Sequence, residues 1–170
     1  AGATLDGMAY MQTAVHYEVT NSAMGEGSNL ELVHDYRLIR WLQENLQGTP
    51  VIMEGQSERE YLWGSRISVY TGLPAVQGWN WHQRQQRTFD PMPRMVQQRV
   101  ANVNAFYSTT DPRVKADILQ HYEVEYVMVG VLERARYPEV GLDTLTELAD
   151  ADVLSVVYED EVNIVYSVDL

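Results

Sequence analysis

Apolar positions fall into two spacings along this chain, and the switches between them divide it into elements. Between residues 30 and 46 they recur at Leu30, Val33, Leu38, Trp41, Leu42 and Leu46, the spacing that lays one apolar stripe along a helix. Ser28 and Glu31 stand three apart at the start of that stripe, as in a capping box, and Gly48 and Pro50 beyond it provide a stop. Pro50-Val51-Ile52-Met53-Glu54-Gly55 is a short apolar run ending on a turn residue and predicts a buried strand; Ile67-Ser68-Val69-Tyr70-Thr71 predicts a second. Residues 92–109 read as a helix with Met92, Met95, Val96, Arg99, Val100, Val103 and Phe106 near one face. Asp111 and Pro112 predict the cap and first turn of another, with Val114, Ile118, Leu119 and Tyr122 inward. Residues 124–130 form a strand closing on glycine, and residues 153–158 and 162–168 flank the acidic turn Glu159-Asp160-Glu161 as a hairpin.

Residues 1–29 lack such periodicity and read as an irregular lead-in, with a short helix around residues 8–17 and a turn-rich loop at 21–29. Residues 30–170 then make a single α/β domain. Its helix, strand, helix, strand order predicts a mainly parallel sheet with crossover helices and a C-terminal β-hairpin at one edge. At 170 residues the chain is long enough to bury a substantial core.

Charge sharpens the picture, because it is unevenly spread. The net charge is −12, which argues against generic binding to nucleic acid. Yet from Arg59 to Lys115 there are eight Lys/Arg against three Asp/Glu, while residues 1–58 carry two against eight and residues 116–170 two against thirteen. A basic, Trp-rich and Gln-rich segment inside an acidic chain marks a local site for something anionic or sugar-like. The absence of cysteine excludes disulfides and Cys-type zinc sites. No apolar run approaches the roughly 18 residues of a membrane span. The start, AGATLDGMAYM, lacks the basic and apolar regions of a signal peptide and an initiator Met, so a piece of a longer protein or a processed chain is expected.

Several residues in and near the basic segment could carry chemistry. Glu54 closes the first predicted strand, and in open parallel sheets ligands gather beyond strand carboxyl ends. Its carboxylate could bind a hydroxyl, hold a metal or pair with an arginine; the plainer alternatives are a helix cap or a salt bridge with Arg66. Arg66, Arg84 and Arg87 could clamp an anion, since a guanidinium fork suits phosphate or carboxylate, or they could simply pair with the surplus carboxylates. Trp79, Trp81 and His82, beside Gln83, Gln85 and Gln86, have the make-up of a carbohydrate or headgroup surface: rings for the apolar faces of sugars, amides for hydroxyls. The indoles could equally be core. His82 could shuttle a proton or ligate a metal, but no metal-enzyme spacing surrounds it and no structural metal is expected. No nucleophile elbow, P-loop or dinucleotide fingerprint occurs, and the catalytic residues stay unassigned. Gly64, Gly72 and Gly78 punctuate the segment as ordinary loop glycines or as points of close backbone approach to a ligand.

The words LDGMAYM, DYRLIRWLQENLQGTPVIMEG, WGSRISVYTGLPAVQGWNWHQRQQR and YEVEYVMVGVLERARYP run in order from Leu5 to Pro138. With them the chain resembles the soluble C-terminal region of the YYY-type (Chlor_Arch_YYY) multi-pass membrane proteins, an uncharacterised family. That resemblance implies a glycosyltransferase-like parent of the GT-C type, which uses polyprenyl-phosphate sugars. The element order is also similar to the soluble part of oligosaccharyltransferase catalytic subunits, although Tyr61-Leu62-Trp63-Gly64 lacks the Asp of their WWDYG motif. The resemblance implies an extracytoplasmic domain that assists recognition of the lipid-linked donor or the acceptor and is inactive alone, with catalysis in the membrane part. It carries over Asp35, Glu54, Arg66, Trp79, His82, Gln83, Arg84, Gln86 and Arg87 as motif members without established roles. Implied partners are the parent's transmembrane part and a lipid-linked or free glycan, with no nucleic acid and no cofactor in this domain. A non-catalytic carbohydrate or cell-envelope binding module and a structural scaffold packing on the parent's membrane helices are the alternatives.

Overall fold

The computed structural model describes residues 7–59, 61–79, 85 and 89–170. A 3-10 turn at Ala9–Gln12 leads into an antiparallel hairpin of β1 (Val15–Asn21) and β2 (Glu26–Glu31), and α1 (Leu32–Asn45) follows directly. Next come β3 (Ile52–Met53), α2 (Arg66–Thr71), α3 (Met92–Ser108) and α4 (Pro112–His121). The chain closes with β4 (Tyr126–Val129), α5 (Val131–Arg136), α6 (Glu139–Asp150), β5 (Leu154–Glu159) and β6 (Ile164–Val168).

The main sheet has the order β3-β4-β6-β5. Among the described strands of this sheet β3 and β4 run parallel, with Ile52 also bridged in parallel to Ala75, and β6 is antiparallel to both β4 and β5. The α/β class holds, but the sheet is mixed and not mainly parallel. The physical reason is that the C-terminal hairpin turns back and seats β6 beside β4, where a further crossover would have added a parallel strand. That hairpin forms one edge with β5 outermost, and the ladder slips between Val156 and Tyr158.

Strand alternation sends neighbouring side chains into two separate cores. Met53, Val127, Val129 and Tyr166 face Val103, Phe106 and Tyr107 of α3, Leu119 of α4, and Leu142, Leu145 and Leu148 of α6. Ile52, Met128 and Val165 point the other way, toward Leu38, Ile39 and Leu42 of α1, Ile67 of α2 and Leu132 of α5. Each such fully buried aliphatic or aromatic side chain stabilises the fold by about 1.5–3 kcal/mol. Between the layers, the Tyr107 hydroxyl lies 3.0 Å from the Met53 carbonyl and 2.7 Å from that of Met128, bridging β3 and β4 at their inner ends.

Local signals explain the helices on the first face. Asp111 caps α4, its carboxylate accepting the Arg113 N–H at 2.9 Å, and Pro112 opens the first turn. Lys115, the chain's single lysine, turns inward and is fully buried. Its ammonium donates to the carbonyls of Phe106 and Gly141, tying α4 to α3 and α6, and burial pushes its pKa down to about 8. Met92 and Met95 do not lie on the buried face expected from their spacing; they are exposed at the start of α3, next to Phe89.

Three local expectations are overturned. Residues 67–71 are helical, not a strand: the Glu54 carboxylate accepts the N–H groups of Ile67 and Ser68 at 3.0 and 3.1 Å, and Gly72, at φ +74, stops the helix. Ser28 caps nothing, because it pairs with Glu18 in the hairpin, and α1 begins four residues later. The stretch before residue 30 is not irregular but holds that hairpin, which packs on α5. The hairpin is fastened by polar contacts: Arg136 donates to the Thr20 carbonyl, Glu58 accepts from the Ser22 N–H and hydroxyl, and buried Glu18 accepts the Trp63 N–H at 3.1 Å.

Candidate functional site

Both parallel strands end on polar groups that meet behind the sheet's carboxyl edge. Glu54 follows β3 and Gly130 follows β4; Arg66 opens α2, Asp35 sits in the first turn of α1 and Glu133 in that of α5. The Arg66 guanidinium binds Glu133 through two parallel bonds of 3.0 and 2.9 Å and Asp35 through Nε at 3.0 Å, with Glu54 at 3.7 Å. All four side chains are essentially without exposure. Glu133 also accepts the backbone N–H of Gly55 at 2.7 Å and of Gly130 at 2.8 Å, clasping the ends of both strands.

One cation against three carboxylates sets their protonation apart. Burial would raise Glu133, but Arg66, with the N–H groups of Gly55 and Gly130, outweighs it and holds the carboxyl below its usual range. Asp35 is raised by burial, despite Arg66 and the bond from the Trp63 indole. Glu54 is raised for the same first reason, against Arg66 and the N–H groups of α2. Burial opposes the charge on Arg66, but the surrounding carboxylates lift its pKa well above normal. Arg66 therefore stays charged, and Asp35 and Glu54 are the carboxyls pushed toward holding a proton.

Immediately outside this cluster the chain leaving β3 opens a cleft of about 110 Å³, lined by Gln56, Ser57, Glu58 and Arg59, by Trp79, by Val100 and Asn104 of α3, and by Arg136 of α5. The Arg136 Nε donates to the Gln56 carbonyl at 3.0 Å, which fixes the guanidinium at the cleft wall. Tyr137 takes the Gln56 N–H at 3.0 Å and lies 2.9 Å from Asn104 Oδ1, so its hydroxyl orients that amide. The Trp79 indole donates to the Gly64 carbonyl at 3.0 Å, and the Gly64 N–H donates to Ser57 Oγ. Glu58 is the one acid of the lining, and the hydroxyl and N–H of Ser22 keep its pKa low. Glu58 also lies 3.6 Å from Arg136 Nη1, so two arginines against this one carboxylate leave the lining a single net positive charge within an acidic chain.

The expected site residues divide accordingly. Trp79 lines the cleft; Glu54 and Arg66 lie together behind it, cap and counter-ion to the elements that build it. His82, Gln83, Arg84, Gln86 and Arg87 lie outside the described residues. Arg59, Asn104 and Arg136 were not singled out from the sequence. Arg59 stands five residues beyond the strand end that drew attention to Glu54, whereas Arg136 reaches the cleft from some 80 residues away, with no local signal. Among the described residues no group of three or more His, Asp or Glu could hold a metal ion, and no helix is long and apolar enough to cross a membrane.

Among solved structures, the chain superposes on the C-terminal globular domain of an oligosaccharyltransferase from Archaeoglobus fulgidus with a TM-score of 0.46 and 13% identity, covering 79% of this chain and 95% of that one. No family model and no curated protein matches. The elements and registers above stand independently of that likeness.

Proposed function

We propose that this chain is an extracytoplasmic domain of a membrane-bound, glycosyltransferase-like protein, and that its cleft helps hold the phosphate of a lipid-linked sugar donor or an anionic acceptor. The observation that carries the reading is the lining itself: Arg59 and Arg136 beside the Trp79 ring, with Gln56 and Asn104, at the carboxyl end of β3. Guanidinium groups take phosphate oxygens, amides take hydroxyls and the indole offers an apolar face. The family resemblance in the motif words gives the same class of ligand. Glycosyl transfer itself falls to the parent's membrane part, and this domain contributes binding and orientation.

The test is titration of the chain with pyrophosphate, followed by calorimetry, for wild type and Arg59→Ala. Arg59 is exposed and lies outside every strand and helix, so its removal spares the fold. Saturable binding that weakens at least several-fold in the variant is expected; no binding, or equal binding by both, refutes the cleft. One observation favours a second reading, the scaffold: Phe89, Met92 and Met95 stand exposed together at the start of α3, an apolar surface on which membrane helices could pack.

A further inference from the structure

Arg136 reaches the cleft with its guanidinium already engaged. Its Nε donates to the Gln56 carbonyl at 3.0 Å and its Nη1 to the Thr20 carbonyl at 2.5 Å, and neither partner cancels its charge. Glu58 does so in part: Oε2 stands 3.6 Å from Nη1, near enough for an ion pair and too far for a hydrogen bond. Both residues line the cleft, so an entering anion meets a carboxylate already seated beside its cation.

The turn of the β1–β2 hairpin holds Glu58 at that distance. Ser22 donates to it twice, through its hydroxyl to Oε1 at 2.5 Å and through its N–H to Oε2 at 2.8 Å. Those two bonds, ahead of the nearby Arg136 and Arg59, hold the Glu58 carboxyl below its usual range, so it is ionised at neutral pH. Both residues are exposed, and Ser22 is not among those lining the cleft. A neutral acceptor would fasten the hairpin as well; what the carboxylate adds is a negative charge beside Arg136.

We infer that Glu58 is a resident counter-ion that sets the affinity of the cleft for phosphate, and that Ser22 is the positioning residue that keeps it from closing on Arg136. The inference rests on the cleft reading above and adds how that site is regulated. With Glu58 in place, an incoming phosphate gains the attraction of two arginines less the repulsion of one carboxylate. Freed from the Ser22 hydroxyl, Glu58 would turn a second oxygen toward Arg136 and take the fork that phosphate needs. The hairpin turn thereby controls the cleft from outside its lining.

The experiment titrates dimethyl phosphate and methyl phosphate, at about pH 7.5, into wild type, Glu58→Gln, Ser22→Ala and the double variant, followed by two-dimensional NMR. Both positions lie outside every strand and helix, glutamine keeps the shape of the side chain, and circular dichroism checks the fold. Methyl phosphate is then almost doubly charged, dimethyl phosphate singly. Removing a like charge from about 4 Å in water should tighten the singly charged ligand about fivefold and the doubly charged one about twenty-five-fold, since the repulsion scales with ligand charge. Ser22→Ala should weaken both about two- to fivefold, the span of one hydrogen bond, and should change nothing once residue 58 is glutamine. Unchanged binding in Glu58→Gln, or an equal gain for both ligands, overturns the counter-ion and leaves the cleft standing. A loss in Ser22→Ala that persists in the double variant overturns the positioning role. Binding of neither ligand, by wild type or by Glu58→Gln, overturns the cleft reading and this inference with it.

Discussion

Replacing Arg66 by Met tests whether the buried cluster is charged in the way its geometry implies. Met keeps much of the aliphatic bulk but removes the bonds to Asp35 and Glu133 and the cation near Glu54. Three carboxylates then face one another without a counter-ion in a site closed to water. Breaking a single buried pair costs about 3–5 kcal/mol, against a total stability of about 5–15 kcal/mol for a domain. The variant should therefore lose at least about a fifth of its stability at neutral pH. The pH dependence follows from the signs. Without Arg66 all three folded-state pKa values move up, so the folded state binds more protons than the unfolded one, and stability falls as pH rises through that window. In wild type only Asp35 and Glu54 act in that direction; Glu133, held low, contributes stability above its unfolded pKa that is lost as pH falls through its folded one. The deficit of Arg66→Met should thus be largest at neutral pH and shrink on mild acidification. Urea unfolding followed by circular dichroism at both pH values measures it. A loss below about 1 kcal/mol, no larger than a surface pair would give, or one that does not change with pH, would refute the reasoning.

Two further outcomes are expected. Gly141→Ala should destabilise by about 1–3 kcal/mol in urea unfolding, because a Cβ there would stand 2.9 Å from the Ser108 backbone and closer still to the Tyr107 carbonyl, where α6 meets the end of α3. Lys115, lowered by burial to about 8 from 10.5, is charged at neutral pH at a cost to the fold, so stability should climb as pH rises between those values; Lys115→Met should flatten that climb in thermal unfolding.

The elements that were legible in the sequence carry their signals locally. Asp111 and Pro112 mark the start of α4 by themselves, and the acidic turn 159–161 announces the C-terminal hairpin. The rest depends on distant partners. Residues 67–71 alternate like a strand, yet their helix is capped by Glu54, thirteen residues earlier across a loop. Of the six residues of β2 only Leu30 is buried, so no apolar pattern betrays it, and its hairpin is tied down by Arg136 and Glu58. Strand order was beyond reach for the same reason: Val165 and Tyr166 serve opposite faces of the sheet, which marks β6 as buried on both faces without naming its neighbours. In the site, Trp79 and the charge contrast were visible, and Glu54 with Arg66 was open to the structural pairing it makes. Arg136 was not, since only the fold brings it to the carbonyl of Gln56.

The outermost strand has a consequence for how copies of this protein behave in concentrated solution. β5 ends the sheet with Val156 and Val157 exposed, a surface on which another extended chain could grow. The slip between Val156 and Tyr158 throws donors and acceptors out of phase midway along that edge, and Glu159, Asp160 and Glu161 close it with negative charge. Two such edges repel before they can zip. That repulsion is screened by salt whereas the slip is not, so aggregation resistance here has one part that ionic strength erodes and one that it leaves in place.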